Sequence, residues 1–255
     1  MDLGIKDKVA IVTGAASEKG IGHAIALALA GEGAHLVVTD IAFEGVQLLA
    51  DKIKSMGSKA LAVKVDQSVY EEVRESVARA DKEFGSVDIL VNCAALTSNF
   101  GTVAKMDPAK WTKETDVNLH GPYYWIREAI PIMKRNNWGR IVNISSVAGL
   151  FGTTGVPSYA VSKGGLHTLT KQAARENASK GITVNALVLG IIATSIYERP
   201  EFSDEAVSRL VNHIPLGRMG QPGEIADMAT FICSEKASYL NGAMIPVDGA
   251  LSVSL

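Results

Sequence analysis

The sequence has few cysteines, no long apolar run and no excess of basic charge, and each lack excludes a class of protein. Its two cysteines, Cys93 and Cys233, are far apart in apolar stretches, which predicts buried free thiols rather than a disulfide framework or a metal site. No apolar run approaches the roughly 18 residues that a membrane span requires. The amino terminus lacks the basic and apolar regions of a signal peptide, so we expect a cytoplasmic protein.

Charge of neither sign dominates the chain. Its 255 residues include 25 Lys and Arg against 27 Asp and Glu, which gives a formal charge of -2. Proteins that bind nucleic acid or anionic membranes carry clustered basic residues, and this sequence has no such cluster. We therefore predict no nucleic-acid or membrane partner and expect a small-molecule substrate.

Short apolar runs alternate with helical patterns along the chain. Strands are predicted at 8–13, 35–40, 60–65, 87–92, 139–145, 182–189 and 243–247. Helices are predicted at 20–32, 43–56, 68–84, 108–136, 158–180 and 222–235. Strands that are apolar throughout and separated by helices form a parallel sheet covered on both faces. The sequence thus predicts an α/β fold, a doubly wound, Rossmann-like sheet of about seven strands in one domain over residues 1–255. Residues 193–213 interrupt the alternation, and we interpret them as a substrate lid.

A glycine-rich loop, TGAASEKGIG, connects the first predicted strand to the first helix. Gly14, Gly20 and Gly22 let backbone N–H groups approach a pyrophosphate, which the positive end of the helix also favours. A plain strand-to-helix turn would have a similar composition. Asp40 favours the dinucleotide site, because it ends the next strand 18 residues after Gly22, near the spacing at which an acidic side chain binds the adenosine ribose.

Tyr159 and Lys163 form a second constellation. They are four residues apart in a predicted helix, so both side chains project from one face. Lowering a phenol pKa from about 10 to about 7 requires about 4 kcal/mol. One ammonium about 4 Å away supplies about that much at an effective dielectric constant of about 20. A surface Tyr and Lys is the alternative, but Ser146 ends a strand 13 residues before Tyr159, where ligands bind in open α/β sheets.

The glycine loop, Asn118 in VNLHG, Ser146 and the Tyr159-x-x-x-Lys163 pair together resemble the short-chain dehydrogenase/reductase family. The resemblance extends from about residue 6 to about residue 249. It implies a nicotinamide dinucleotide cofactor and hydride transfer between nicotinamide and a substrate carbon. It also implies a homo-oligomer, a dimer or tetramer, that pairs through the predicted helices 108–136 and 158–180.

The resemblance assigns roles by position. Tyr159 would exchange a proton with the substrate oxygen, and Ser146 would hydrogen-bond that oxygen. Lys163 would bind the nicotinamide ribose and lower the pKa of the tyrosine, while Asn118 would hold a water that links Lys163 to solvent. The implied cofactor contacts are Gly14, Ser17, Gly20, Ile21, Gly22, Asp40, Ile41, Asp66, Gln67, Asn92, Ala94, Tyr159, Lys163, Ile192 and Thr194.

Departures from the family pattern affect the cofactor site. Five residues separate Gly14 from Gly20 where the family usually has three, and Leu189 stands where the family has proline. Asp40 would repel the 2'-phosphate of NADP, whereas Lys19 lies where some family members hold a basic residue for that phosphate. We expect NAD rather than NADP, because Asp40 is the better positioned of the two.

The substrate is inferred from residues near the catalytic ones. The candidates are Leu96, Thr97, Ser146, Val147, Phe151, Tyr159, Tyr197 and Phe202. Most are apolar or aromatic, which favours a fairly apolar, cyclic or aromatic substrate. Phe151 and Phe202 are equally consistent with simple packing of the lid.

Three functions stay open at this point. The first is an NAD-dependent secondary alcohol dehydrogenase or ketone reductase, which we favour. The second is an NADPH-dependent 3-oxoacyl thioester reductase. The third is a non-catalytic dinucleotide sensor, which the filled catalytic positions disfavour.

Overall fold

The computed structural model describes residues 2–98, 100–200 and 202–253. Its strands are β1 (Val9–Thr13), β2 (His35–Asp40), β3 (Ala60–Lys64), β4 (Ile89–Asn92), β5 (Gly139–Ser146), β6 (Ile182–Leu189) and β7 (Met244–Val247). They form one parallel sheet in the order β3-β2-β1-β4-β5-β6-β7. The predicted doubly wound sheet is confirmed. The strand order reverses between β1 and β4, and such a reversal opens a crevice at the carboxyl ends of the strands.

Helices cover both faces of this sheet. They are α1 (Ile21–Gly31), α2 (Phe43–Ser55), α3 (Tyr70–Phe84), α4 (Pro108–Thr115), α5 (Gly121–Asn136), α6 (Ala148–Phe151), α7 (Pro157–Asn177), α8 (Asp204–Asn212) and α9 (Pro222–Ile232). Val12 and Val38 pack in the core shared with α1, α2 and α9, whereas Ile11 and Val37 pack in the core shared with α3, α5 and α7. Each such side chain contributes about 1.5–3 kcal/mol when fully buried. This double burial explains why the strands read as unbroken apolar runs.

The predicted helix 108–136 is interrupted in the structure. A π-helical turn, Asp116–His120, separates α4 from α5. Pro122, just after this turn, has no N–H to donate to the carbonyl of Asn118 four residues earlier, so that α-helical hydrogen bond is missing. Such turns are frequent at functional sites. Of the aromatic residues in α5, Trp125 is fully buried, so only side chains such as Tyr123, 43% exposed, are available for the expected subunit contact.

The segment 193–213 contains structure that the sequence analysis did not predict. A 3-10 turn spans Ser195–Glu198, and α8 spans Asp204–Asn212. Ser203 caps α8, because its hydroxyl accepts a hydrogen bond from the N–H of Ala206 at 3.3 Å. A serine followed by two acidic residues is a helix-start signal that the sequence contained.

The two cysteines are free thiols, as predicted, but only one of them is fully buried. Cys233 is buried, Cys93 is half-buried, and both are free cysteines. Burial raises the pKa of the Cys93 thiol to about 12, so this thiol is protonated at neutral pH.

Within the described residues, the structure holds no helix with the length and apolar character needed to cross a membrane.

The glycine loop is required by the packing of the chain itself. A Cβ atom on Gly22 would lie 2.4 Å from the carbonyl oxygen of Gly14. A Cβ atom on Gly14, which has a φ of +68°, would lie 2.6 Å from the Cα of Ala94. Both contacts involve backbone that cannot move aside cheaply. The glycines therefore let α1 start against β1 and β4 whether or not a ligand is bound.

We predict that Gly22→Ala lowers the free energy of unfolding by about 1–3 kcal/mol without nucleotide, because the added methyl overpacks the backbone. Gly31→Ala is the matched control in the same helix, since its Cβ would meet nothing within 4 Å. This control is expected to gain up to about 1 kcal/mol from helix propensity. Urea unfolding of both variants tests the prediction, and a Gly22→Ala protein as stable as the parent would contradict it.

Candidate active site

An open cleft lies at the carboxyl ends of β4, β5 and β6. It encloses about 830 Å³ of empty space, part of which is open solvent. Ser146, at the end of β5, and Tyr159 and Lys163, on α7, all line it. The structure thus brings three of the four predicted catalytic side chains together in one cleft, at the edge where open α/β sheets bind ligands.

Lys163 is held in the protein interior. It is 3% exposed, and its Nζ donates a hydrogen bond to the carbonyl oxygen of Ile144 at 2.7 Å. The same nitrogen lies 5.6 Å from the ring centre of Tyr159, one helical turn earlier. Ser146 is oriented by the N–H of Ala148, which donates to its hydroxyl oxygen at 3.2 Å. The ammonium is therefore fixed beside the phenol.

The pKa values of this pair differ from the prediction. Burial raises the pKa of Tyr159 to about 12, and a hydrogen bond with Ser146 opposes that rise. Burial also lowers the pKa of Lys163 to about 8. The predicted acidification of Tyr159 by Lys163 is therefore not met in the protein alone. Removing charged groups from water disfavours both the phenolate and the ammonium, and this burial is the largest cause of both shifts.

Asn118, the fourth predicted catalytic residue, lies in the π-helical turn and is fully buried. Its Oδ1 accepts a hydrogen bond from the N–H of Leu96 at 2.7 Å, and its Nδ2 donates to the carbonyl oxygen of Leu96 at 2.7 Å. The side chain therefore fixes the backbone of a segment that lines the cleft. These contacts do not test the water-holding role that the resemblance implies for Asn118, and that role stays a prediction.

The amino end of α1 and the end of β2 fit a dinucleotide. Gly20 precedes α1 without any side-chain cap, so the positive helix end is open to an anion such as a pyrophosphate. Asp40 is held by the N–H of Ala16 and the N–H of Ala42, both at 3.1 Å from its carboxylate oxygens. Its carboxylate is thus fixed next to the glycine loop, where it can bind ribose hydroxyls.

The glycine loop also contacts the segment 193–213. Ser17, a predicted cofactor residue, shares a hydrogen bond of 3.1 Å with the hydroxyl of Ser195. Lys19 forms an ion pair with Glu198. Lys19 therefore already has an anionic partner within the protein, which weakens its candidacy as the contact for a 2'-phosphate.

Other predicted cofactor residues serve the scaffold. Both N–H groups of the Gln67 amide are used, donating to the carbonyl oxygens of Ala94 at 3.1 Å and Val117 at 2.7 Å, while its Oε1 accepts from Trp125 at 3.2 Å. The structure thus uses the Gln67 side chain inside the protein. Asn92 donates from Nδ2 to Asn143 Oδ1 at 2.8 Å, which ties β4 to β5.

The remaining predicted cofactor residues either line the cleft or lie near the carboxyl ends of β2 and β3. Burial alone would raise the pKa of Asp66, but hydrogen bonds from Ser68 and Lys113 outweigh it and lower that pKa. Ile41 is 65% exposed beside Asp40. Ile21, Ile192 and Thr194 all line the cleft.

The predicted substrate residues divide into two groups. Those that line the cleft are Leu96, Thr97, Ser146, Tyr159 and Tyr197. Val147 is buried in a small cluster with Val188 and Leu251 instead. Phe202 packs edge-on against Tyr197 with 5.1 Å between the ring centres, and Phe151 is 48% exposed away from the cleft wall. Phe202 therefore follows the packing alternative, whereas Val147 and Phe151 are not among the residues that line the cleft.

Sequence reasoning missed other cleft residues. Ile196 and Arg199 line the cleft together with Tyr197, and all three lie in the segment 193–213. Arg199 is exposed and adds a positive charge to a wall that was expected to be apolar. No motif marks it, since only the folding of this segment over the cleft brings it there.

We predict a pH-dependent stability difference between the parent protein and Lys163→Met. Lys163 has a pKa of about 8 in the folded protein against its ordinary value of 10.5, so the unfolded chain binds more protons between these values. The parent protein should therefore gain stability relative to Lys163→Met as the pH rises from about 8 to about 10.5. Urea unfolding near pH 7 and pH 10 checks this, with the exposed Lys171→Met as control. A pH-independent difference would refute the assigned pKa.

The sequence is similar to known proteins over nearly its whole length. A family described as "Enoyl-(Acyl carrier protein) reductase" matches residues 14–252. The 3-oxoacyl-(acyl-carrier-protein) reductase FabG of Staphylococcus aureus (strain Mu50) is 38% identical over 245 residues, which cover 96% of this chain and 98% of that protein. FabG of Pseudomonas aeruginosa is 37% identical over 253 residues, 99% of this chain and 100% of that protein.

A solved structure is similarly close. The crystal structure of a protein proposed to be a short-chain alcohol dehydrogenase, from Sinorhizobium meliloti 1021, has a TM-score of 0.94 and 34% sequence identity, and the alignment covers 100% of both chains. The likeness thus extends to sequence and fold over practically the whole length. On these grounds the protein belongs to the short-chain dehydrogenase/reductase family of oxidoreductases.

Proposed function

We propose that the protein transfers a hydride between a nicotinamide dinucleotide and the carbonyl carbon of a ketone, thereby interconverting the ketone and a secondary alcohol. The observation that carries this proposal is the meeting of Ser146, Tyr159 and Lys163 in one cleft at the carboxyl edge of the sheet. Two hydroxyl groups beside a fixed ammonium suit an oxygen that gains negative charge and then a proton. A non-catalytic sensor would have no need of this arrangement.

The protonation state of Tyr159 favours the direction of reduction. With a pKa of about 12, its phenol is protonated at neutral pH and can act as an acid. Ser146 and Tyr159 would both donate hydrogen bonds to the substrate carbonyl oxygen. A nicotinamide dinucleotide, when bound, would supply the hydride for the carbonyl carbon. Tyr159 would give its proton to the substrate oxygen. The resulting phenolate would be stabilised by Lys163, which by the family resemblance would also bind the nicotinamide ribose.

We propose a 3-oxoacyl thioester as the substrate. This is the substrate of the second function left open from the sequence, which paired it with NADPH. The support is that relatives covering nearly the whole chain are named 3-oxoacyl-(acyl-carrier-protein) reductases. The second candidate is a secondary alcohol dehydrogenase acting on an apolar or cyclic substrate, which we favoured from the sequence. The proposed assignment of the structurally similar Sinorhizobium meliloti protein supports that candidate.

We propose NAD(H) as the cofactor, on the strength of Asp40. Its carboxylate is fixed by two backbone N–H groups at the end of β2. A 2'-phosphate in that position would meet a like charge, and Lys19, the cation in the adjacent loop, is paired with Glu198. These contacts favour free ribose hydroxyls over a phosphorylated ribose.

Turnover of a matched substrate panel tests the reaction. The panel contains a 3-oxoacyl thioester, the corresponding enoyl thioester and a simple cyclic ketone, each with NADH and NADPH. We expect the 3-oxoacyl thioester to be reduced with the highest kcat/KM. Tyr159→Phe should lower kcat by about 100- to 10,000-fold while nucleotide binding persists, because only the proton donor is lost. Preferential reduction of the enoyl thioester, or full activity of Tyr159→Phe, would contradict the proposal.

Replacing Asp40 tests the cofactor proposal. Asp40→Asn keeps the size and a hydrogen-bond acceptor but removes the charge that repels a 2'-phosphate. We expect the ratio of kcat/KM for NADPH to that for NADH to rise by at least about tenfold, which corresponds to about 1.4 kcal/mol. Asp51→Asn, at an exposed position on α2, is the control. A parent enzyme that already prefers NADPH would overturn the proposal.

A further inference from the structure

A buried carboxylate lies beside α7, the catalytic helix that carries Tyr159 and Lys163, and has no part in the proposed chemistry. Glu114, on α4, is 0% exposed. A buried carboxylate is costly unless hydrogen bonds replace its water. Its Oε1 accepts hydrogen bonds from the N–H of Ser98 and from the Ser98 hydroxyl at 3.2 Å, and its Oε2 accepts from the Ser158 hydroxyl. The two carboxylate oxygens therefore hold two different segments of the chain.

The first of these segments is the start of the catalytic helix. Ser158 is fully buried in the first turn of α7 and immediately precedes Tyr159. Its carbonyl oxygen accepts a hydrogen bond from the hydroxyl of Ser162 at 2.7 Å, so Ser158 is fixed at both its side chain and its backbone. Any shift of Ser158 moves the backbone that carries Tyr159.

The second segment adjoins a wall of the cleft that Tyr159 also lines. Residues 95–97 line the cleft, and Ser98 follows them directly. Asn118 already fixes Leu96 in this segment through both ends of its amide. Glu114 lies four residues before Asn118, a spacing at which helical side chains are neighbours. The two side chains therefore hold the same stretch of chain two residues apart, at Leu96 and Ser98.

We propose that Glu114 is a positioning residue that sets the placement of Tyr159 relative to the cleft wall. One carboxylate bridges the two segments whose separation decides where a substrate carbonyl meets the phenol. Each of its two oxygens accepts from a different segment, so one side chain links the two directly. The inference rests on the proposed reaction for its kinetic consequence, but the bridge itself is independent of the substrate.

The test compares Glu114→Gln, Ser158→Ala and the double variant. A misplacement of about 1 Å can lower catalysis by about 100-fold. We expect each single variant to lower kcat by about 10- to 100-fold with little change in nucleotide affinity, since the hydrogen bonds described between these side chains and Ser98 involve no predicted cofactor residue. The double variant should lose no more than Glu114→Gln alone, because both changes break the same bridge. Asp116→Asn, a surface carboxylate in the adjacent turn paired with His120, is the control and should leave kcat unchanged.

A second readout separates this proposal from the proposed function. The ring resonance of Tyr159, labelled with carbon-13 and identified by its loss in Tyr159→Phe, should shift in Glu114→Gln and Ser158→Ala but not in Asp116→Asn. An inactive parent enzyme with these shifts would refute the reaction and retain the bridge. Unchanged kcat and resonance in Ser158→Ala, or losses that multiply in the double variant, would overturn the positioning role. If Glu114→Gln does not fold, Ser158→Ala decides alone.

Discussion

The burial of Lys163 beside Tyr159 is the constraint on which the site depends. Lys163 is 3% exposed, and its ammonium donates to the carbonyl oxygen of Ile144. Burial keeps the phenol protonated by raising its pKa, and it brings the pKa of the lysine down toward neutrality. A protein without bound cofactor is therefore set up as an acid, and the proposed reduction uses that state directly. The scaffold works to hold this pair: β5 supplies Ile144 and Ser146, α7 supplies the pair itself, and the π-helical turn supplies Asn118.

Local patterns in the sequence were sufficient to predict the sheet. Strands such as β1 and β2 are apolar on both faces because a helix layer covers each face, and that pattern survives in any sequence with this fold. Helical spacing predicted that Tyr159 and Lys163 share one face, and Ser146 together with the family resemblance identified the pair as part of a site. The interruption at residues 116–120 was not predicted, because the prolines inside the predicted helix 108–136 do not mark it. Pro122 lies beside the interruption, whereas α5 continues through Pro131.

Functional detail that depends on long-range packing was not accessible from spacing. Gln67 and Val147 stand at positions that suggested cofactor and substrate contacts, but the fold directs their side chains into the interior. The sign of the pKa shift of Tyr159 was also mispredicted. A pairwise Coulomb estimate includes the nearby ammonium and omits the cost of removing the phenolate from water, and only the three-dimensional burial of the site gives that cost. Glu114 was not identified from the sequence because its partners are 16 and 44 residues away, and only the folded chain brings them together.

A titration of the Tyr159 phenol tests the central claim most directly. In the protein without nucleotide, the carbon-13 resonance of the Tyr159 ring, followed by NMR up to about pH 10.5, should stay at its protonated position, because burial raises its pKa to about 12. A resonance that titrates with a midpoint well below the ordinary phenol value of about 10 would contradict the account. In that case Lys163 rather than burial would control the phenol, and the protein alone would not be held as the acid that the proposed reduction requires.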